Sequence, residues 1–143
     1  MKILIVDDDP ATVTFMRLAF VSAGHDVTTA SSVGEAIGCA RDETPDVVLS
    51  DLAFGSALGQ HLDGGHDGCS FARTLRATPA TADVGLLAVS GAGSPDVLRD
   101  TTDSGFDGFV SKPVDLAALL DRVDRLGELV ATRRTEQDPA DHA

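Results

Sequence analysis

The sequence predicts an α/β fold, a doubly wound parallel sheet with helices on both faces. Three observations carry the prediction. Short apolar runs, Ile3–Val6, Val47–Leu49, Leu86–Val89 and Phe109-Val110, recur along the chain. Segments with helix-start signals and helical spacing lie between them. The strand–helix order repeats five times, and right-handed crossovers then force the strands to run parallel. Runs without polar alternation suit strands covered on both faces.

Each element has its own justification. Residues 2–6 read as a buried strand. Pro10 suits the first turn of a helix to about Ala23, with Val13, Met16, Leu18, Ala19 and Phe20 forming its apolar side and Gly24 closing it. A short strand is expected at about 26–30. Ser32 and Glu35 match a capping box, which opens a second helix through about Arg41. Pro45 precedes a strand at 46–50. Residues 52–67 read as a long glycine-rich loop, followed by a helix from about Cys69 to Ala77 and a strand at about 84–89. Ser94-Pro95 starts a short fourth helix that ends near Gly105. A last strand is expected at 107–110. Asp115 then caps a final helix whose apolar face is Leu116, Leu119, Leu120, Val123, Leu126 and Leu129. The folded domain is expected to span 1–130, and the polar residues 131–143 to form a disordered tail.

Composition narrows the function. A chain of 143 residues has room for one domain with a real core. No apolar run approaches the roughly 18 residues a membrane span needs. The start turns acidic at Asp7, too soon for a signal peptide, so a cytoplasmic location is expected. The net charge of −12 argues against nucleic acid as a direct partner. Among nine Arg there are two Lys, and one of them is Lys112. Cys39 and Cys69 fit neither a zinc pattern nor a disulfide framework and are expected as buried thiols.

The ends of the predicted strands carry the chemistry. Asp7-Asp8-Asp9 follows the first run, Asp51 the run at 47–50, Ser90 the run at 86–89, and Lys112-Pro113 the run at 109–110. In a parallel sheet such ends share one edge, where ligands of open α/β sheets bind. Clustered carboxylates repel unless a cation intervenes. Mg²⁺ is bound by one or two carboxylates plus phosphate oxygens, with waters retained. A carboxylate can itself attack phosphorus to give an aspartyl phosphate. Asp51, on the central strand of the expected order, is the candidate nucleophile. Lys112 would neutralise a phosphoryl oxygen and Ser90 would donate a hydrogen bond to another. Asp9 reads as a helix N-terminal charge favoured by the dipole.

On Val6-Asp7-Asp8, Asp51-Leu52, Ser90-Gly91 and Lys112-Pro113, in this order over about residues 1–130, the chain resembles the receiver domain of two-component response regulators. The resemblance implies a flavodoxin-like (βα)5 fold with strand order 2-1-3-4-5. It implies a phosphoacceptor signalling domain, with at most self-phosphorylation and self-dephosphorylation as enzymatic activity. Asp51 corresponds to the phosphoacceptor. Asp7, Asp8, Asp51 and the backbone carbonyl of Ala53 correspond to the Mg²⁺ ligands. Ser90 corresponds to the switch hydroxyl and Phe109 to the switch aromatic. The Lys112–Pro113 bond is expected to be cis. The implied partners are a histidine kinase or phosphotransfer protein, and a downstream protein bound through the fourth helix, last strand and last helix, a surface that also serves homodimers. Too few residues follow the final helix for an output domain, so a stand-alone receiver is expected.

One stretch departs from the family. Asp67-Gly68 comes sixteen positions after Asp51, and Gly55 stands without the usual nearby proline. This insertion contains His61, Asp63 and His66, which with Asp67 have donor types suited to a transition metal. Among so many glycines a solvated loop is the simpler reading. Two alternatives have distinct signatures. A haloacid-dehalogenase-like phosphatase would use the Asp-x-Asp within Asp7-Asp8-Asp9, but Pro10 replaces the expected Gly or Thr and no acidic pair follows Lys112 on a later strand. A binding module on the same fold would act without phosphorylation.

Overall fold

The computed structural model describes residues 1–7, 9–51, 67–90, 105–111 and 115–137. In chain order these form β1 (Lys2–Val6), α1 (Pro10–Ser22), β2 (Asp26–Ala30), α2 (Val33–Glu43), β3 (Val47–Asp51), α3 (Asp67–Ala77), β4 (Gly85–Ser90), β5 (Gly108–Ser111) and α4 (Leu116–Gln137). The five strands are parallel and ordered β2-β1-β3-β4-β5, the flavodoxin-like order 2-1-3-4-5.

The helix starts follow the sequence signals. Asp9 is the N-cap of α1: its carboxylate accepts from Ala11 N–H at 3.3 Å and from the Thr12 hydroxyl at 2.6 Å. Pro10 takes the first helical position, where its missing N–H costs nothing. Gly24, at φ 93°, ends α1, and His25 N–H turns back to the Phe20 carbonyl at 3.1 Å. Ser32 caps α2 by accepting from Glu35 N–H at 3.2 Å, while the Glu35 carboxylate reaches Ser31 N–H at 3.4 Å rather than the Ser32 amide. Asp115 caps α4 through Ala117 N–H at 3.1 Å.

Alternation along the strands splits the core between two faces. Leu4, Val6, Val48, Leu86 and Ala88 point to one side, against Ala36 and Ala40 of α2 and Phe71 and Leu75 of α3. Ile3, Ile5, Val47, Leu49 and Leu87 point to the other, against Met16 and Phe20 of α1 and Leu119, Val123 and Leu126 of α4. Removing this surface from water drives folding, at about 25 cal/mol per Å² of apolar area. Gly85 lets α4 approach the sheet: a Cβ there would lie 2.6 Å from Leu126 Cγ and 3.0 Å from Val130 Cγ2.

Several expectations need correction. Of the residues 131–143 expected as a disordered tail, 131–137 are helical and 138–143 lie outside the described residues. Arg133 pairs with Asp107, and Arg134 pairs with Asp46 at 2.6 Å and Asp83 at 3.4 Å, so ion pairs hold a segment that has no further buried apolar residue. Within α4, Val130 takes the buried place expected of Leu129, which is 46% exposed. In α1, Leu18 faces outward at 57% exposure, together with Phe15 and Val21, because the helix is apolar on more sides than the sheet can cover. Cys39 is only partly buried against the α2–α3 side of the core. Burial and the nearby Glu35, Glu43 and Asp42 raise its pKa, which leaves it a poor nucleophile. The side chain of Cys69 lies outside the described residues.

Candidate functional site

The carboxyl ends of β1, β3, β4 and β5 meet along one edge because these strands are parallel and adjacent. Adjacent strands lie about 4.8 Å apart, so register decides which residues meet. Val6 pairs with Ser50, which puts the next positions, Asp7 and Asp51, side by side as β1 and β3 end. Asp51 pairs with Val89, and Ser90 is one step further on β4. Ser90 in turn pairs with Ser111, the last residue of β5, and Lys112 follows it in the chain. Asp7, Asp51, Ser90 and Ser111 thus come to one line of backbone.

Asp7 is the best-defined member. It is 2% exposed, and its Oδ1 accepts the Asp9 N–H at 2.9 Å. Its own N–H is bound to the Ala30 carbonyl at 3.2 Å, which extends the β1–β2 pairing by one residue and fixes its backbone. A carboxylate so buried is costly to ionise unless donors or a cation face it. Phe109 sits on β5, partly buried against the α2–α3 side of the core, in register with Ala88.

Several expectations lie outside the described residues: Asp8, Ala53, Lys112, Pro113 with its peptide bond, His61, Asp63, His66 and the helix starting at Ser94. For Asp51, Asp67, Ser90 and Ser111 the backbone alone is described. Gly105, where that helix is expected to end, has φ 111°, a conformation that favours glycine. Among the described residues no cluster of His, Cys, Asp and Glu could hold a metal ion, and no helix is long and apolar enough to cross a membrane.

Sequence reasoning missed two features. Ser50, just before Asp51, has a fully buried hydroxyl with no hydrogen-bond partner among the described residues. Nothing distinguishes such a serine in sequence from one that is satisfied. At the opposite, amino edge, Asp46, Asp83 and Asp107 stand just ahead of β3, β4 and β5 and meet Arg76, Arg133 and Arg134. Aspartate is depleted in strands, so an acid placed shortly before three of them was the available signal.

Against known proteins, the chain matches the response regulator receiver domain over residues 3–124. It belongs to that family. This separates it from haloacid-dehalogenase-like phosphatases. It is 30% identical over 138 residues to the DNA-binding dual master transcriptional regulator RpaA of Synechocystis, covering 96% of this chain and 52% of RpaA. It is 32% identical over 122 residues to the transcriptional regulatory protein GlrR of Escherichia coli, covering 85% of this chain and 25% of GlrR. The chain thus spans about half of the first relative's length and a quarter of the second's. Among solved structures, the receiver domain protein of Methanospirillum hungatei superposes with a TM-score of 0.78 at 21% identity, covering 92% of this chain and 97% of that one. Chemotaxis response regulator CheY4 of Vibrio cholerae gives 0.76 at 24% identity, covering 87% and 97%. At these identities the structural likeness establishes the fold.

Proposed function

We propose that the chain accepts a phosphoryl group on Asp51 from a histidine kinase or phosphotransfer protein and thereby switches a protein-binding surface. The observation that carries this reading is the register at the carboxyl edge. It supports the reading in a receiver fold: Asp7 and Asp51 end neighbouring strands, Ser90 lies one step past the Asp51–Val89 pair, and Lys112 follows Ser111 in the sequence.

The chemistry follows from the residue types. A carboxylate oxygen of Asp51 attacks phosphorus, the bond to the donor's histidine nitrogen breaks, and the imidazole leaves with a proton gained from solvent. Lys112 offsets charge on one phosphoryl oxygen and Ser90 donates to another. Most of the gain in such transfers is positioning and charge neutralisation. The donors at this edge are hard oxygens, and buried Asp7 is the kind of acid that a cation favours. Mg²⁺ would be held by Asp7, Asp8, Asp51 and the Ala53 carbonyl, and when bound it neutralises phosphoryl charge.

Ser90 and Phe109 make the switch: the hydroxyl moves toward the phosphoryl group and the ring turns into the space it leaves. Phe109 has no hydroxyl, so its inward rotamer needs no hydrogen-bond partner. The surface so altered is β5, α4 and the segment after Ser94 that the sequence predicts as helix, and it binds a downstream protein or a second copy of the chain. A near-complete switch needs a difference in partner affinity between the two states of about 5.5 kcal/mol.

Phosphotransfer from a labelled phosphodonor tests the reading. Wild type should take up hydroxylamine-labile label and Asp51→Asn should not. Label that persists in Asp51→Asn rejects Asp51 as acceptor. Partner binding that is identical for wild type, Asp51→Asn and the protein carrying an acyl-phosphate mimic would instead support a module that works without phosphorylation.

A further inference from the structure

Beyond Val130 no residue of α4 is a buried hydrophobic. Ala131, Thr132 and Thr135 are exposed, and the last two turns are tied to the domain by Arg133 and Arg134. Adjacent residues on a helix point about 100° apart, and these two arginines reach different carboxylates. Arg133 forks onto Asp107, with Nη1 to Oδ2 at 3.2 Å and Nη2 to Oδ1 closer still. Arg134 donates to Asp46 Oδ1 at 2.6 Å and the Pro45 carbonyl at 2.9 Å, with Asp83 Oδ2 3.4 Å from its Nε.

The acceptors are built into the sheet. Asp107 Oδ2 also takes the Leu86 N–H of β4 at 2.9 Å and Arg76 Nη2 of α3 at 2.9 Å. Asp46 Oδ2 takes the Lys2 N–H of β1 at 2.8 Å. Arg76 is anchored independently, through the carbonyls of Ala82 at 2.8 Å, Val84 at 2.6 Å and Gly105 at 2.8 Å. The sheet side of the contact therefore has its own supports, and the helix side has the two arginines.

We propose that Arg133 and Arg134 make the end of α4 a charge-held clasp across the amino edge of the sheet, opposite the acceptor edge, which opens as a unit while the sheet stays folded. The clasp joins α4 to the strands that begin beside Asp46 and Asp107. Because Asp107 leads directly into β5, one carboxylate serves both the helix end and the strand that carries Phe109. The proposal does not depend on phosphorylation.

Hydrogen exchange of the full chain, followed by peptide mass spectrometry, tests it. In wild type at low salt the amides of 132–137 should be protected. In Arg133→Gln/Arg134→Gln they should exchange about tenfold faster or more, while peptides from β1 and β3 keep their rates. Salt near 1 M, where the Debye length is about 3 Å, should speed the same amides in wild type and leave the double variant unchanged. Asp107→Asn should move the segment in the same direction. The clasp is overturned if 132–137 already exchanges as an unstructured chain in wild type, if the double variant stays protected, or if β1 and β3 lose protection equally.

Discussion

Replacing Gly85 with alanine should destabilise the domain, although alanine is usually the better residue inside a strand. Gly85 has no positive φ, so alanine can adopt its backbone conformation, and reduced unfolded-chain entropy would favour the variant by about 0.4–1 kcal/mol. Against this stands the added methyl. Its carbon would lie 2.6 Å from Leu126 Cγ, 2.9 Å from Leu126 Cδ2 and 3.0 Å from Val130 Cγ2. Leu126 Cγ is a branch point rather than a flexible tip, and Val130 is fully buried, so α4 itself must shift. Overpacking of this kind costs about 1–3 kcal/mol. The net loss is centred near about 1.3 kcal/mol, which for a domain of this size is a fall in melting temperature of roughly 4–7 °C. Urea unfolding followed by circular dichroism reads the free energy. A double-mutant cycle with Leu126→Ala isolates the cause. Leu126→Ala alone costs about 2–5 kcal/mol. In the double variant the methyl added by Gly85→Ala fills part of that cavity, so the pair should cost at least about 0.5 kcal/mol less than the sum of the two. A stabilising Gly85→Ala, or strict additivity in the cycle, would refute the reasoning.

Other perturbations have equally definite outcomes. Burial raises the Asp107 pKa, but the Arg133 hydrogen bond, the Leu86 N–H and the charges of Arg76 and Arg133 outweigh it and hold the carboxyl below its usual range. Its contribution is then complete above the unfolded value of about 3.9 and is lost as pH falls through the lower folded value. Asp107→Asn should cost about 2–3 kcal/mol at pH 7, and the gap to wild type in urea unfolding should close in acid; a gap independent of pH would contradict this. Ser50→Ala removes a buried hydroxyl that has no partner among the described residues and should be neutral or stabilising by up to about 1 kcal/mol; a loss beyond about 1 kcal/mol in the same assay would show a hidden partner. Asp9→Ala removes the N-cap of α1 and should cost about 1 kcal/mol, whereas Asp9→Ser should restore most of it.

The sheet was legible because Ile3–Val6, Val47–Leu49 and Leu86–Val89 are apolar without interruption, a pattern that strands buried on both faces require. Helix starts were legible because Asp9, Ser32 and Asp115 act within a few residues of themselves. The outward turn of Leu18 was not, because α1 carries apolar residues on nearly every side and periodicity does not choose a face. The end of α4 was hidden for another reason. Arg133 and Arg134 look like a polar tail until Asp46, Asp83 and Asp107 are brought to them from far along the chain. The proposed acceptor edge was read from residue types at strand ends. The backbone register then placed Asp7, Asp51 and Ser90 on one line.

The central claim is that Asp51 is the residue that takes the phosphoryl group. Intact-protein mass spectrometry after incubation with a small phosphodonor and Mg²⁺ tests it most directly, with fragment mapping of the adduct. The account predicts one added phosphoryl group, located on Asp51, absent in Asp51→Asn and absent when Mg²⁺ is chelated. An adduct mapped to another residue, or a wild-type protein that gains no mass under these conditions, would contradict it.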